Sequence, residues 1–277
     1  MNAPSTYVIV LNWNGLADTR ACLASLERAC DDGTVVLVVD NGSRDGSPEA
    51  IRREFPGVRV LETGANLRFA GGNNAGMRAA LEAGADEIML LNNDTTVDPG
   101  FLAAMRACLR RWPGAGIVAP KILYHAAPEL IWYAGGEISF WTGTMRHRGI
   151  RERDDGRFDA PRETAYASGC CFLVKREVVE RIGMLDEAYH MYTEDADFCM
   201  RARRAGYRVV YEPQARVLHR VSVSAGGHLS AFKLRNKFIS NFRFFARYAA
   251  WYQWGVFPWM SVAVNAGAGA RYLLSRH

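Results

Sequence analysis

Between residue 7 and about residue 120, short β-branched runs alternate with stretches whose apolar residues fall at helical spacing. The runs cover 7–11, 35–39, 58–61, 88–91 and 117–119, and the amphipathic stretches cover 16–29, 48–55, 73–83 and 99–112. A run that is apolar without alternation is buried on both faces. Units of this length, strand then helix, therefore predict a parallel sheet covered by helices on both sides. Pro99 stands where its helix opens, at a position whose N–H has no partner in any case.

From residue 121 to about 213 the pattern is less regular. The charged, glycine-containing stretch 146–162 reads as a loop or exposed hairpin, 165–174 as a buried strand and 175–182 as a short helix. A clearer helix is predicted over 193–205. Thr193 stands at its N-cap, Glu194, Asp195 and Asp197 fill the first turn, Arg201, Arg203 and Arg204 the last, and Gly206 follows. A further strand covers 207–211. After Glu212 no acidic residue occurs. Lys233, Arg235, Lys237, Arg243 and Arg247 are interleaved with Phe232, Phe238, Phe242, Phe244 and Phe245, the make-up of a basic amphipathic helix on a membrane surface. The stretch 248–270 is uncharged and long enough to span a bilayer, but Gln253, Pro258, Asn265 and its glycines favour a pair of interfacial helices. A packed helical tail or a dimer interface is the alternative.

Composition narrows the class. The 277 residues are 49% hydrophobic and 23% charged, with 26 Gly and 10 Pro, which excludes collagen-like, mucin-like and disordered chains. A net charge of +5 does not call for nucleic acid, and the basic tail carries no nucleic-acid motif. None of the six cysteines forms a C-x-x-C pair, so a zinc ribbon or thioredoxin-like site is not expected. The start of the chain lacks the marks of a signal peptide, and the thiols read as space-filling groups of a reducing, cytoplasmic protein.

Chemistry collects where the runs end. The first is followed by Asn12-Trp13-Asn14-Gly15, the second by Asp40-Asn41-Gly42-Ser43 and the fourth by Asn92-Asn93-Asp94. Any one of these is an ordinary turn, but three on one edge of a parallel sheet mark the place where such sheets bind ligands. Asp40 can accept from a ribose or a base imide. Asp94 can serve a hard cation that takes few protein oxygens and several phosphate ones. Asn66–Gly76, rich in glycine and amide, precedes a predicted helix and could cradle an anion. It is neither G-x-G-x-x-G nor a Walker loop, which argues against a dinucleotide dehydrogenase and a P-loop NTPase.

Taken in order, VIVLNWNG, VVDNGSRDGS, NLRFAGGNNAG, LLNNDT and YTEDADFCMRARRAGY resemble the inverting family 2 glycosyltransferases of GT-A fold. The flavour is that of bacterial rhamnosyltransferases that build cell-surface polysaccharide. The likeness covers about residues 7–224 and departs at Arg68, where glycine is usual. It implies a Rossmann-like, mostly parallel α/β sheet flanked by helices, with a basic aromatic helical tail. Residues 1–120 would form the nucleotide-sugar-binding half, 121–227 the acceptor and catalytic half of the same domain, and 228–277 a membrane-associating segment.

By the same resemblance Asp40 contacts the nucleoside, Asp94 the metal and diphosphate, and His219 completes the metal site for Mg²⁺ or Mn²⁺. Asn12, Asn14, Asn66, Asn73 and Asn93 join the donor site, Asp195 is the base, and Glu194 and Gly169 lie on the acceptor side. Asp197 reads instead as a partner of Arg201 at i+4. A helix N-terminus and a nearby cation would both lower the pKa of Asp195, making it a weak base. The implied donor is dTDP-L-rhamnose, with a UDP-sugar such as UDP-galactofuranose as rival. The acceptor is a saccharide, free or carried on a polyprenyl diphosphate at the cytoplasmic face of the inner membrane. A sugar-1-phosphate nucleotidyltransferase would instead show a basic glycine-rich loop after the first strand, where residues 12–15 carry no lysine. A non-catalytic nucleotide-sugar-binding protein is the remaining alternative, and oligomeric state is left open.

Overall fold

A computed structural model describes residues 5–221 and 231–254, with only the helical backbone for 231–234. The first half is the expected alternation. Strands β1 (Thr6–Asn12), β2 (Thr34–Asp40), β3 (Arg59–Glu62) and β4 (Glu87–Asn92) alternate with helices α1 (Leu16–Leu26), α2 (Ser47–Glu54) and α3 (Arg68–Glu82). Then follow β5 (Thr95–Val97), α4 (Phe101–Arg111), β6 (Ala115–Tyr124), β7 (Ala127–Tyr133) and the β8–β9 hairpin (Gly136–Ser139 and Thr144–His147). The chain continues through β10 (Arg162–Glu163), β11 (Cys171–Lys175), α5 (Arg176–Ile182), α6 (Glu194–Arg204), β12 (Arg208–His219) and α7 (Ala231–Tyr248).

One sheet runs β10-β12-β6-β11-β4-β1-β2-β3, with β5 added on β12 and β7 on β6. It continues through residue 120, which lies inside β6. Pairs β1/β2, β1/β4, β2/β3 and β6/β12 are parallel. Only β11 interrupts this run, antiparallel to both β4 and β6. Its reversal matters for the site: the start of β11 lies at the edge where β1, β2 and β4 end. Register fixes that edge, with Asn12 opposite Asp40, Leu11 opposite Asn92 and Cys171 opposite Leu91. The core beneath it is fully buried Val8, Ile9, Val10, Val38, Val39, Met89 and Leu90, each side chain contributing about 2 kcal/mol of transfer free energy.

Several expectations are corrected. The segment 66–76 is not a loop before a helix, because α3 already begins at Arg68. Its glycines serve contact with the sheet. A Cβ on Gly72 would stand 2.5 Å from Leu11 Cδ1, and one on Gly76 2.6 Å from Ile9 Cγ2. The predicted strand 165–174 shrinks to β11, since 165–170 turn across the sheet edge. The strand predicted over 207–211 runs on to His219. Its register against β6 shifts between Glu212 and Arg216, and that bulge accommodates Pro213, which has no N–H to give a ladder. All six cysteines are free thiols, in line with space-filling. Burial pushes Cys22, Cys108 and Cys199 up to about 12.

The tail helix is also corrected. Phe244 and Phe245, expected on a membrane face, are 0% exposed and pack around Phe140. Phe232 and most of 248–270 lie outside the described side chains. Among the described residues no helix is long and apolar enough to cross a membrane.

Candidate active site

The edge formed by β1, β2 and β4 is a closed network of amides. Asn12 Nδ2 donates to Asp40 Oδ1 at 2.8 Å and to Ser43 Oγ at 3.1 Å, while Thr19 Oγ1 donates to Asn12 Oδ1 at 2.8 Å. Asn93 Nδ2 reaches Thr19 Oγ1 at 3.0 Å and Asn12 Oδ1 at 3.3 Å. Asp40 is only 2% exposed, and its second oxygen takes the Ser43 N–H at 2.9 Å. Asn14, at φ +51, accepts the Arg44 N–H at 2.7 Å. Asp40, Asn12, Asn14 and Asn93 are thus together in one cluster that sets the two loops above it.

Asn66 and Asn73 stand slightly apart. Asn66 Oδ1 accepts from Arg68 N and from Asn41 Nδ2, and Asn73 Nδ2 bonds Phe69 O inside α3. Asn41 is the organiser here, since its oxygen also takes the Leu67 N–H and its amide reaches Arg68 O. The adjoining cavity, about 220 Å³, is lined by Asn66, Leu67, Arg68, Ala70, Gly71, Glu187 and Tyr189. Arg68 has φ +63. The position keeps the left-handed backbone that the usual glycine would take freely, and the arginine side chain contacts His190 Nδ1. Asn74 holds the far wall, bonding Leu185 through both its amide groups and Glu187 Oε1 at 2.9 Å.

Asp94 and His219 meet across the β5/β12 pairing, where His219 is opposite Thr95. Asp94 Oδ1 lies 3.2 Å from His219 Nε2, yet Asp94 Oδ1 and His219 Nδ1 are buried with no hydrogen-bond partner. The His219 ring stands edge-on to Trp132, 4.6 Å between centroids, and His147 flanks the same indole at 4.4 Å. Burial pushes His147 down to about 4, so it is neutral at physiological pH. Asp94 Oδ1, buried without a hydrogen-bond partner, and His219 Nε2 at this separation fit a divalent cation held between them. Among the described residues no third His, Cys, Asp or Glu joins them, which leaves the remaining positions to phosphate and water.

Asp195 occupies the second position of α6. Its Oδ2 accepts the Gly169 N–H and its Oδ1 the Ala196 N–H, both at 2.7 Å. Phe69 closes over the same glycine, whose Cβ would stand 3.0 Å from Phe69 Cζ. The next carbonyl, Cys170 O, accepts from Asn92 N at 2.9 Å, so two backbone bonds tie the Asp195 carboxylate to the strand end that carries Asp94. Burial raises the pKa of Asp195 despite both N–H donors. At this helix start desolvation thus outweighs the N–H groups that face the carboxylate. Burial first, then the neighbouring Asp195 charge, pushes Glu194 up to about 8, and Glu194 Oε2 has no hydrogen-bond partner.

The approach to this pair is strained. Tyr192 (φ +70) and Thr193 (φ +76) are both left-handed, at a cost of about 1–2 kcal/mol each. Thr193 stands at the N-cap position as expected, but its hydroxyl does not cap α6. It donates to Asn241 Oδ1 on α7 instead. Asp197, 0% exposed, pairs with Arg201 at 2.8 Å as predicted and also collects Arg247 and the hydroxyl of Tyr248. Among these partners Asn41 lies in the strand-end cluster already singled out, whereas Thr19 and Trp132 carry no sequence signal of their own, since each meets the site through another residue.

Comparison with known proteins follows the same lines. The sequence profile of Glycosyl transferase family 2 matches residues 7–183. The N-acetylglucosaminyl-diphospho-decaprenol L-rhamnosyltransferase of Mycobacterium tuberculosis is 33% identical over 230 residues, which is 76% of this chain and 75% of that protein. Among solved structures, the mannosyltransferase PcManGT of Pyrobaculum calidifontis, in complex with GDP-Man and Mn²⁺, superposes with a TM-score of 0.63 at 18% identity, covering 99% of this chain and 79% of that one. GalNAc-T7 with UDP, GalNAc and Mn²⁺ gives 0.63 at 15% identity, over 79% of this chain and 44% of that one.

Proposed function

The chain belongs to glycosyl transferase family 2 and has the GT-A fold, and from that premise we propose that it transfers an L-rhamnosyl group from dTDP-L-rhamnose to a polyprenyl-diphosphate-linked saccharide, inverting the anomeric carbon. The carrying observation is the half-buried Asp195 carboxylate, tied through Gly169 and Cys170 to the strand end of Asp94. The choice of sugar and acceptor is supported by what the mycobacterial relative is named for.

In this reading Asp195 takes the proton of the acceptor hydroxyl as that oxygen attacks. The bond from the anomeric carbon to the diphosphate breaks on the opposite face. A carboxylate with a raised pKa is a better proton acceptor, and the Gly169 and Ala196 N–H groups hold it in one orientation. Glu194, protonated at neutral pH, can donate to the acceptor from the same helix start. Asp94 and His219 would hold Mg²⁺ or Mn²⁺, which supplies charge neutralisation at the leaving diphosphate when bound. Asp40, Asn12 and Asn93 form the floor of the donor site, with Asn14 and Asn66 at its rim and Asn73 inside α3. Nucleotide sugars scored by thermal shift with and without Mn²⁺ test the reading. dTDP-L-rhamnose is expected to give the largest Mn²⁺-dependent rise in Tm. A larger rise with UDP-galactofuranose, or none with any donor, overturns it.

The acceptor's lipid gives the outer face of α7 a role at the cytoplasmic surface of the membrane. On α7 Phe238 is 72% exposed and Phe242 is also exposed, just beyond its end Trp251 (85%) and Tyr252 are exposed, and Arg235, Lys237 and Arg243 are exposed as well. Aromatic groups rimmed by cations fit an anionic interface. Co-sedimentation with vesicles containing phosphatidylglycerol is expected for the full chain and lost in a Phe238→Ser/Phe242→Ser variant. Equal binding by the variant removes this face from the proposal.

A further inference from the structure

We infer that α7 braces the base from the inside, with Ser240 and Asn241 as positioning residues for Asp195. The inference rests on the reading of Asp195 given above. The corner Met191-Tyr192-Thr193 leads directly into Glu194 and Asp195, and two of its residues are in left-handed backbone. Non-glycine residues hold that conformation only where their surroundings over-determine it. Here the surroundings are α7. Ser240 Oγ donates to Met191 O at 2.7 Å, and Thr193 Oγ1 donates to Asn241 Oδ1 at 3.1 Å. The corner is thus gripped on both sides of Tyr192.

The rest of α7 cannot drift relative to this grip. One turn further along, Phe244 and Phe245 are fully buried. Arg247 pairs with Asp186 and Asp197, and Tyr248 donates to Asp197 at 2.7 Å. Asp197 lies on α6 itself, two residues beyond the base. The helix therefore ties down the loop before Asp195 and the helix after it, and what lies between is the carboxylate on Gly169 N. The choice of Thr at the strained position makes sense in these terms. Its hydroxyl gives up capping α6 and serves the bond to α7.

Thr193→Val keeps the shape and β-branching and deletes only that bond. It is expected to lower kcat by about tenfold, the scale of a small misplacement of a catalytic group, with KM for dTDP-L-rhamnose unchanged on a synthetic polyprenyl-diphosphate N-acetylglucosamine acceptor. Thr193→Ser, which restores the hydroxyl, is expected to recover most of the loss. Asn241→Leu should reproduce Thr193→Val, and the double variant should be no worse than either alone. Hydrogen exchange of the Ala196 amide, bonded to Asp195 Oδ1, is expected to quicken in Thr193→Val and to return in Thr193→Ser. Wild-type kcat and exchange in Thr193→Val overturn the brace, as does a fall in kcat that Thr193→Ser does not relieve. A wild-type enzyme without turnover on these substrates refutes the functional reading instead, and the exchange measurement still decides the brace.

Discussion

Asp195→Asn is expected to lower kcat by about 10³-fold, the middle of the range for loss of a general base, while calorimetry with dTDP and Mn²⁺ returns an unchanged Kd. The reason for the split lies in where Asp195 sits. Its oxygens face backbone N–H groups of the β11 approach and of α6, not the amide cluster around Asp40. Asparagine keeps one oxygen for one of those N–H groups and cannot accept a proton in turn. Unchanged turnover in this variant would remove Asp195 from the chemistry, and loss of dTDP binding would show that it holds the donor.

The same variant carries a stability signature whose sign follows from the two raised carboxyls. Glu194 is held near 8 in the fold against 4.5 in the free residue. Between those values the folded state keeps a proton that the unfolded chain has lost, so stability declines as pH rises through the window. The Asp195 charge is one cause of that shift. Removing it relieves Glu194, so Asp195→Asn is expected to melt higher than wild type near pH 8. The gap should close in acid, where both carboxyls are protonated in folded and unfolded chains alike. Activity runs the other way: kcat should climb as pH passes through the raised pKa of Asp195, because only the carboxylate takes a proton. Gain of stability with loss of turnover is the mark of charges held together for function.

What the residue order made legible, and what it hid, divides along physical lines. The runs 7–11, 35–39 and 88–91 are buried on both faces, so their hydrophobicity survives any detail of packing and their ends bring Asn12, Asp40 and Asn93 to one edge. The start of α3 at Arg68 is hidden because glycine has two uses. Gly72 and Gly76 permit contact with Leu11 and Ile9 within a helix, and nothing local distinguishes that from a glycine-rich loop. The strand after Gly206 was cut short at Glu212-Pro213, since a bulge is fixed by the neighbour β6 and not by the strand itself. The aromatic tail was half legible. Its charge and Phe content mark an amphipathic helix, but which phenylalanines face inward depends on Phe140, far back along the chain. The desolvation of Asp195 is hidden for a similar reason: the helix start can be read from sequence, whereas the packing of Gly169 against Phe69 and Asp195 cannot.

Asp94→Ala is expected to weaken dTDP binding on the order of 10²-fold in Mn²⁺, about 2.7 kcal/mol, and to leave binding in EDTA unchanged or slightly improved. Both halves follow from one feature. Asp94 Oδ1 is buried without a hydrogen-bond partner 3.2 Å from His219 Nε2, an arrangement costly in itself and relieved by a cation held between the two. With Mn²⁺ present, the variant loses a charged oxygen donor and keeps only the imidazole, so cation and diphosphate no longer hold each other. With Mn²⁺ chelated, the wild-type carboxylate faces a nucleoside diphosphate of the same sign, and deleting it removes a repulsion. His219→Ala should show the Mn²⁺-dependent loss without the gain in EDTA, because an imidazole carries no negative charge to repel phosphate. Direct Mn²⁺ titration by electron paramagnetic resonance separates this account from a general loss of fold. The variants should bind Mn²⁺ more weakly in the presence of dTDP while melting at or above the wild-type temperature in its absence. Equal losses with and without the cation would mean that Asp94 shapes the loop after β4 rather than serving an ion.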